Sequence, residues 1–385
     1  MDTISIRNEI ISLTKRLVAT NSITGKEGPC AKTLLNYFKK KSVEARLEEV
    51  QPGRYNLVAR VPGMKPTLLF NGHTDMVDIV DGWTTTDPFK LETDGDWMLG
   101  AGVANMKGSL AAQAVATAVI AASIEHHSQV IFTAVVGECS DLGLGTLTFL
   151  KNGGTADFAI VGEPTGLWAQ TSHAGTYEAR IDFGGAAVHI GDYISGVNAV
   201  ETASEFVLAV RNTKGLNQGT GVFDETPRAM VGRMSGGFYP QIAAPSASVW
   251  VDVRIPIDTT QDDLEIHIDS IASKCSLSDH SSFKRTTLAY EPAYSMSKSG
   301  VSFLKRLEEV FGKVTGRTLS TGFATPSNRF FATDAAHLEA AGIPSLVLGP
   351  GIWAPGPNER IGIEETCEYA RVLVLFAHQM GRYMG

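Results

Sequence analysis

The residues LLFNGHTDMVD, 68–78, and LGAGVANMKGS, 99–109, decide how this chain is read. Leu68 to Phe70 predicts a buried strand that runs into a loop carrying His73 and Asp75. The second segment predicts a Gly-rich turn that opens a long helix at Asn105. A His-x-Asp pair at a strand end suits a metal, because the imidazole can ligate while a nearby carboxylate orients it or accepts its other ring proton. Histidines at strand ends are also often simply hydrogen-bonded, so the meaning of the pair depends on what stands at the other strand ends.

Three later segments follow the same plan. QVIFTAVV, 129–136, is apolar and rich in β-branched residues, as a central strand is, and runs into GECSDLGLGT, 137–146. Phe158 to Val161 predicts a short strand ending in GEPTG, 162–166, and SLVLGPG, 345–351, predicts another. His73, Asp75, Glu138, Glu163 and the 349–351 turn therefore share strand ends. In open α/β sheets ligands gather beyond the carboxyl ends of strands. Imidazole and carboxylates converging there suit a hydrolytic zinc site.

Around these strands the spacing predicts helices over 4–20, 29–41, 109–124, 301–313 and 364–383, a helix in ATDAAHLEAAG, and strands in ARLEEV and YNLVARV. From about Leu167 the texture changes. HAGTYEARIDFGG alternates, 198–211 is helical, RAMVGRMSGG and SASVWVDVRIPI are strands, 260–273 is helical and FKRTTLAY is a strand. That order predicts a small sheet with two helices on one face. The expected fold class is α/β: a larger domain of residues 1–166 and 290–385, interrupted by a smaller α+β, ferredoxin-like insert of residues 167–289.

Length and composition agree. At 385 residues two domains are expected, and 43% hydrophobic with 19% charged residues is the balance of a soluble globular protein. A net charge of −8 argues against a nucleic-acid partner, which needs a basic face. Four cysteines without CxxC spacing fit a reducing cytoplasm. The start, MDTISIRNEI, is amphipathic rather than a signal peptide, and the Ala-rich stretch 109–124 is expected behind a sheet rather than across a membrane. A small-molecule substrate and a cytoplasmic location are the expectations.

The order and spacing of these motifs resemble the dinuclear zinc family that includes acetylornithine deacetylase, succinyl-diaminopimelate desuccinylase, aminoacylase and carboxypeptidase G. The resemblance covers essentially the whole chain and includes AAVHIGDYISGVNA, 186–199, FATDAAHLEAAGIP, 331–344, and LGPG, 348–351. It implies a larger zinc-peptidase-like domain with a lid and dimerisation insert, and hence a homodimer. It makes His73 and Glu163 ligands of a first metal, Asp75 the carboxylate behind the ligand histidine and Glu138 the general base. It makes His189 the insert histidine that steadies an oxyanion in the partner subunit. Arg254 resembles an arginine linked to recognition of a substrate carboxylate.

Three positions depart from the family pattern. The bridging aspartate is Asn105, the second glutamate of the Glu-Glu pair is Cys139, and the last ligand histidine, four before Glu359, is Pro355. A neutral amide does not supply the charge that two neighbouring cations share. A dinuclear zinc site is therefore not expected; either no metal or one divalent ion, zinc first, is. Cys139 has two readings, a catalytic partner of Glu138 or a small buried thiol in a vacated ligand position. The second is preferred, because a nearby carboxylate raises a thiol's pKa. His173 and His337 are cleft or structural histidines, Arg329 is an anion anchor or a surface ion pair, and Trp353 could close the vacated space.

Three functions remain open. The first is an enzyme acting on a small amino-acid-derived carboxylate or amide by metal-poor or metal-independent chemistry, non-hydrolytic reactions included. The second is a mononuclear metal-dependent deacylase of N-acyl amino acids. The third is a non-catalytic binding homologue.

Overall fold

The structure, a computed structural model, describes residues 3–84, 87–213, 228–257, 259–276, 281–325, 327–352 and 356–383. Trp353 and Pro355 lie outside the described residues. The chain divides into two compact units. The first is Met1–Ser172, Ser295–Asn328 and Thr333–Gly385; the second is His173–Tyr294 with Arg329–Ala332. Arg329 thus belongs to the second unit, although its place in the sequence puts it within the outer segment.

The first unit is a mixed α/β layer structure. It opens with α1 (Thr3–Val18), α2 (Gly28–Lys40), β1 (Glu44–Gln51), β2 (Arg54–Val61) and β3 (Met64–His73). Next come β4 (Glu92–Asp94), β5 (Trp97–Leu99), α3 (Gly108–Ala121), β6 (Ser128–Val135), α4 (Leu144–Lys151) and β7 (Phe158–Val161). The main sheet has the order β1-β2-β6-β3-β7, with a last strand, β14 (Ser345–Val347), beside β7. β6, β3, β7 and β14 run parallel, and β1 and β2 are antiparallel additions at one edge.

β3 is central, and every residue from Pro66 to His73 is buried. That is why it reads as a continuous apolar run rather than an alternating one. α3 owes its near-total burial to small side chains. The approach on this side of the sheet is close: a Cβ at Gly72 would stand 2.5 Å from Met106 Cε. Phe70, Phe132 and Phe158 fill the core with Leu13 and Leu17 of α1. Each contributes roughly 2–3 kcal/mol relative to exposure.

The second unit holds β9 (Gly175–Gly184), α5 (Ala199–Asn212), β10 (Arg228–Gly236), β11 (Ser246–Ile255), α6 (Gln261–Cys275) and β12 (Ser282–Glu291). The short strands β8 (Ser172–His173) and β13 (Tyr294–Ser295) mark where the chain passes between the units. The sheet order is β10-β11-β9-β12, antiparallel throughout. Tyr177, Ala179, Ile181 and Phe183 alternate inward on β9 and pack with Phe206 of α5 and Ile268 of α6. Asn198 caps α5, and Thr260 with Asp263 forms a capping box on α6.

The chain closes in the first unit with α7 (Val301–Thr315), α8 (Ala335–Ala340), β15 (Arg360–Gly362) and α9 (Ile363–Tyr383). β15, β5 and β4 form a three-stranded ribbon. Among the described residues no helix is long and apolar enough to cross a membrane. All four cysteines are free thiols.

Candidate active site

The first unit brings His73, Asp75, Asn105, Glu138, Cys139 and Glu163 together. His73 ends β3, Glu138 and Cys139 follow β6, and Glu163 follows β7, so three adjacent parallel strands point their carboxyl ends at one place. The ring of His73 is fully buried. Its Nε2 lies 2.7 Å from Asn105 Oδ1, 3.3 Å from Glu163 Oε1 and 3.8 Å from Glu138 Oε2. Its Nδ1 lies 2.9 Å from the Asp75 carbonyl oxygen, 3.5 Å from Asp75 Oδ1 and 3.8 Å from Cys139 Sγ.

Asp75 organises the second of these sides. Its carboxylate accepts hydrogen bonds from the N–H of Glu138 at 3.1 Å, the N–H of Cys139 at 2.9 Å and the hydroxyl of Thr24 at 2.8 Å. Burial alone would push the Asp75 carboxyl up; the His73 ring, Thr24 and the Glu138 N–H outweigh it and hold the pKa at about 2. Burial works the other way on His73 and is outweighed too. The carboxylates around the ring, Glu163, Glu138 and Asp75, hold it well above the ordinary histidine range. Burial, reinforced by Glu163, pushes the Glu138 carboxyl well above the usual carboxylate range. This pocket favours a positive charge at its centre.

Asn105 is not the first residue of a helix, as its sequence suggested. The turn Val103–Lys107 is irregular, with Asn105 at φ −122°, ψ 92° and Met106 at φ −136°, ψ 32°, and α3 starts only at Gly108. The cause lies far along the chain. The Glu359 carboxylate accepts the N–H groups of Gly102 at 2.8 Å, Ala104 at 2.8 Å and Asn105 at 3.0 Å. These bonds hold the turn open and aim the Asn105 amide at His73.

Two further groups escaped sequence reasoning. Asp334, at the start of α8, is buried, and its charge acts on Glu138. Burial raises its carboxyl to about 6, against an opposing effect of His337. Arg54, at the start of β2, is buried against Glu27 and Asp141. The signal for each was a charged residue beside a buried strand or motif.

One nitrogen and three oxygens face each other on the Nε2 side, and ligand atoms of His73, Glu138 and Glu163 all lie within 4.8 Å of one another. Tetrahedral donors about 2.1 Å from an ion stand roughly 3.4 Å apart, close to the 3.3 Å between His73 and Glu163. The His73, Glu138 and Glu163 group is a candidate site for a divalent ion; Asn105 Oδ1, 2.7 Å from Nε2, stands at hydrogen-bond distance and would have to draw back to ligate beside it. His73, Asp75 and Cys139 form a second candidate group. There, however, Nδ1 is paired with a backbone carbonyl and the Asp75 carboxylate already accepts three hydrogen bonds.

The remaining expected site residues belong to the second unit. Arg254 closes its fork on Asp252, at 2.9 and 2.8 Å, and reaches Thr176 Oγ1 at 2.8 Å and the Phe330 carbonyl at 3.2 Å. Its guanidinium is thus engaged within its own unit. His173 is buried beside Tyr294, with Nδ1 3.0 Å from the Ala174 carbonyl oxygen. His189 is exposed and accepts the Gly191 N–H at 3.2 Å. Arg329 lies over the Phe330 ring, 5.4 Å from its centroid, and its carbonyl accepts the Ala174 N–H.

A parallel-stranded α/β sheet presenting imidazole and carboxylates at its strand ends is the framework of a metal-assisted hydrolase. Residues 69–379 match Peptidase family M20/M25/M40, and the chain belongs to that family. It is 26% identical over 422 residues to N-formyl-4-amino-5-aminomethyl-2-methylpyrimidine deformylase of Halalkalibacterium halodurans, covering 97% of this chain and 94% of that one. It is 29% identical over 202 residues to acetylornithine deacetylase of Vibrio campbellii, covering 50% of this chain and 53% of that one. Its fold is similar to that of aminopeptidase PepT from Bacillus cereus, with a TM-score of 0.79 at 19% identity over 97% of this chain and 98% of that one.

These relatives are hydrolases of C–N bonds by name. The metal-poor or non-hydrolytic chemistry expected from the sequence draws no support from them.

Proposed function

We propose that this chain cleaves the amide of a small N-acyl amine, an amino-acid derivative or a heterocyclic amine, with one divalent ion held by His73, Glu163 and the Asn105 amide oxygen. The observation that carries this reading is the convergence of those three side chains and Glu138 on one face of the His73 ring. Such an ion would supply Lewis acidity to an acyl oxygen and lower the pKa of a water molecule. The named relatives take formyl and acetyl groups from amines, and the same class of substrate is assigned here.

Glu138 is the general base. Its carboxyl is pushed upward by burial and by Glu163, a direction that favours return of the proton to the leaving amine. Asp75 holds the imidazole by its carbonyl and the Glu138 backbone by its carboxylate, which fixes base and ligand relative to each other. A homodimer in the cytoplasm, implied by the family resemblance and the cysteine usage, belongs to the same proposal.

The test is elemental analysis followed by turnover. Protein purified without chelator is expected to hold about one equivalent of metal and to deacylate some member of an N-formyl, N-acetyl and N-succinyl amine panel. Glu138→Gln should lower kcat by roughly 10²–10⁴-fold while metal content stays near the wild-type value. Two equivalents of metal would overturn the single-ion assignment. Activity that survives complete metal removal would overturn the metal-assisted mechanism.

A further inference from the structure

A buried ion network lies behind the loop that carries Glu138. Arg54 donates to Glu27 through Nε at 2.9 Å and Nη2 at 2.5 Å, and through Nη1 to Gln51 at 2.8 Å. The same Nη1 lies 2.7 Å from Asp141 Oδ2. Glu27 is fully buried and also accepts the N–H of Gly25 at 3.0 Å. Asp141 is the tip of the 137–143 loop, three residues after Glu138.

Two residues further along β2, on the same face, Asn56 holds the stem of that loop. Its Nδ2 donates to the Gly145 carbonyl at 2.8 Å, and its Oδ1 accepts the Val136 N–H at 3.1 Å. Alternate residues of one strand therefore grip one loop at its stem and at its tip. The loop backbone passes close to the Arg54 and Asp141 side chains at Gly137. A Cβ at Gly137, which has φ +68°, would stand 3.1 Å from Arg54 Nη2 and 3.0 Å from Asp141 Cβ.

The network also reaches the other side of the loop. The turn that carries Glu27 carries Thr24, whose hydroxyl donates to Asp75 Oδ2 at 2.8 Å. Asp75 in turn accepts the N–H groups of Glu138 and Cys139. The 24–27 turn thus supports the loop twice, through Thr24 and Asp75 at its start and through Glu27 and Arg54 at its tip.

We propose that Arg54, fixed by Glu27 and clamped onto Asp141, is a positioning residue that sets the reach of Glu138 into the His73 pocket. Its partners are Glu27, Gln51 and Asp141, not the groups around the His73 ring. A bidentate guanidinium suits the task because its planar fork fixes direction as well as distance, which an ammonium does not. The assignment of Glu138 as base rests on the function proposed above; the clamp itself does not.

Asp141→Asn is the informative variant, because Asp141 is partly exposed and its loss leaves the buried Arg54–Glu27 pair in place. Amide hydrogen exchange at Glu138 and Cys139, whose N–H groups bond to Asp75, should accelerate about tenfold or more. Exchange in the β3 peptides should not change. In the metal-loaded protein kcat should fall about tenfold with KM within twofold, and Asp141→Glu should recover part of it. Asp157→Asn, which removes the Lys65 pair at the far end of the sheet, serves as the control and should leave the loop's exchange alone. Wild-type exchange at Glu138 and Cys139 in Asp141→Asn would overturn the clamp. If the wild-type protein turned over no N-acyl amine, the proposed function would fail, and the exchange measurement would still decide the clamp.

Discussion

On the Nε2 side of His73, three side-chain oxygens approach one nitrogen, each from a different segment: Asn105, Glu163 and Glu138. On the Nδ1 side the same ring meets a backbone carbonyl, and behind it a carboxylate that accepts two backbone N–H groups and a hydroxyl. The first side has acceptors to offer a cation. The second has already used its acceptors to hold the chain together. Sharing the His73 ring does not make the two sides equivalent, because a carboxylate satisfied by three donors gains less from a cation than one facing a neighbouring charge.

Removing a group from the Nε2 side should have the largest effect. Glu163→Ala is expected to abolish turnover and to weaken cobalt binding by more than a hundredfold, read by titration of metal-free protein. An unchanged affinity would move the ion to the Nδ1 side and reverse the comparison. Asp75→Asn should be milder, lowering metal affinity by about 10–100-fold, the range for partners that orient a ligand histidine. If Asp75→Asn proved more damaging to affinity than Glu163→Ala, Asp75 would itself be a ligand.

Much of this contrast was legible in the sequence. The apolar run before His73, the β-branched run before Glu138 and the short strand before Glu163 each announce a strand end, and the strand–helix pattern of 173–290 announces the small antiparallel sheet. Local pattern could not place Asn105. ANMKGSLAAQ looks helical throughout, and the partner of the Asn105 N–H, Glu359, lies 254 positions away and leaves no local mark. Arg54 was hidden for a similar reason. A lone arginine at a strand edge carries no sign of its partners, which lie 27 residues before it and in the loop after β6.

Asp334 sharpens the comparison from the stability side. Its charge acts on Glu138, and Glu163 and His73 act on it, so it adds to the negative field of the Nε2 side. Its carboxyl stands at about 6 in the fold against 3.8 for the free side chain, chiefly through burial. The folded protein thus binds this proton more tightly than the unfolded chain does. The stability it contributes is complete below about pH 3.8 and is lost as pH rises through about 6. In metal-free protein that loss is roughly 2–3 kcal/mol. Asp334→Asn should remove it, so that the variant gains on wild type between pH 4 and pH 7 in chelator-treated thermal melts. A difference between the two that did not vary with pH would show that Asp334 is an ordinary solvated carboxylate.

The smallest effect is expected at Cys139, on the side that the backbone has closed. Burial first, and Asp75 beyond it, push the thiol well above its ordinary range, against the opposing charge of His73. The thiolate is therefore scarce at neutral pH, and a thiol is a poor nucleophile. What ties this residue to the site is its backbone N–H, which bonds to Asp75 at 2.9 Å whatever the side chain is. Cys139→Ala should accordingly change kcat and metal affinity by less than about threefold, and iodoacetamide should label Cys139 more slowly than a free thiol at pH 8. A loss of thirtyfold or more, with the fold intact, would mean that sulfur takes part in the chemistry and that the Nδ1 side is the working one.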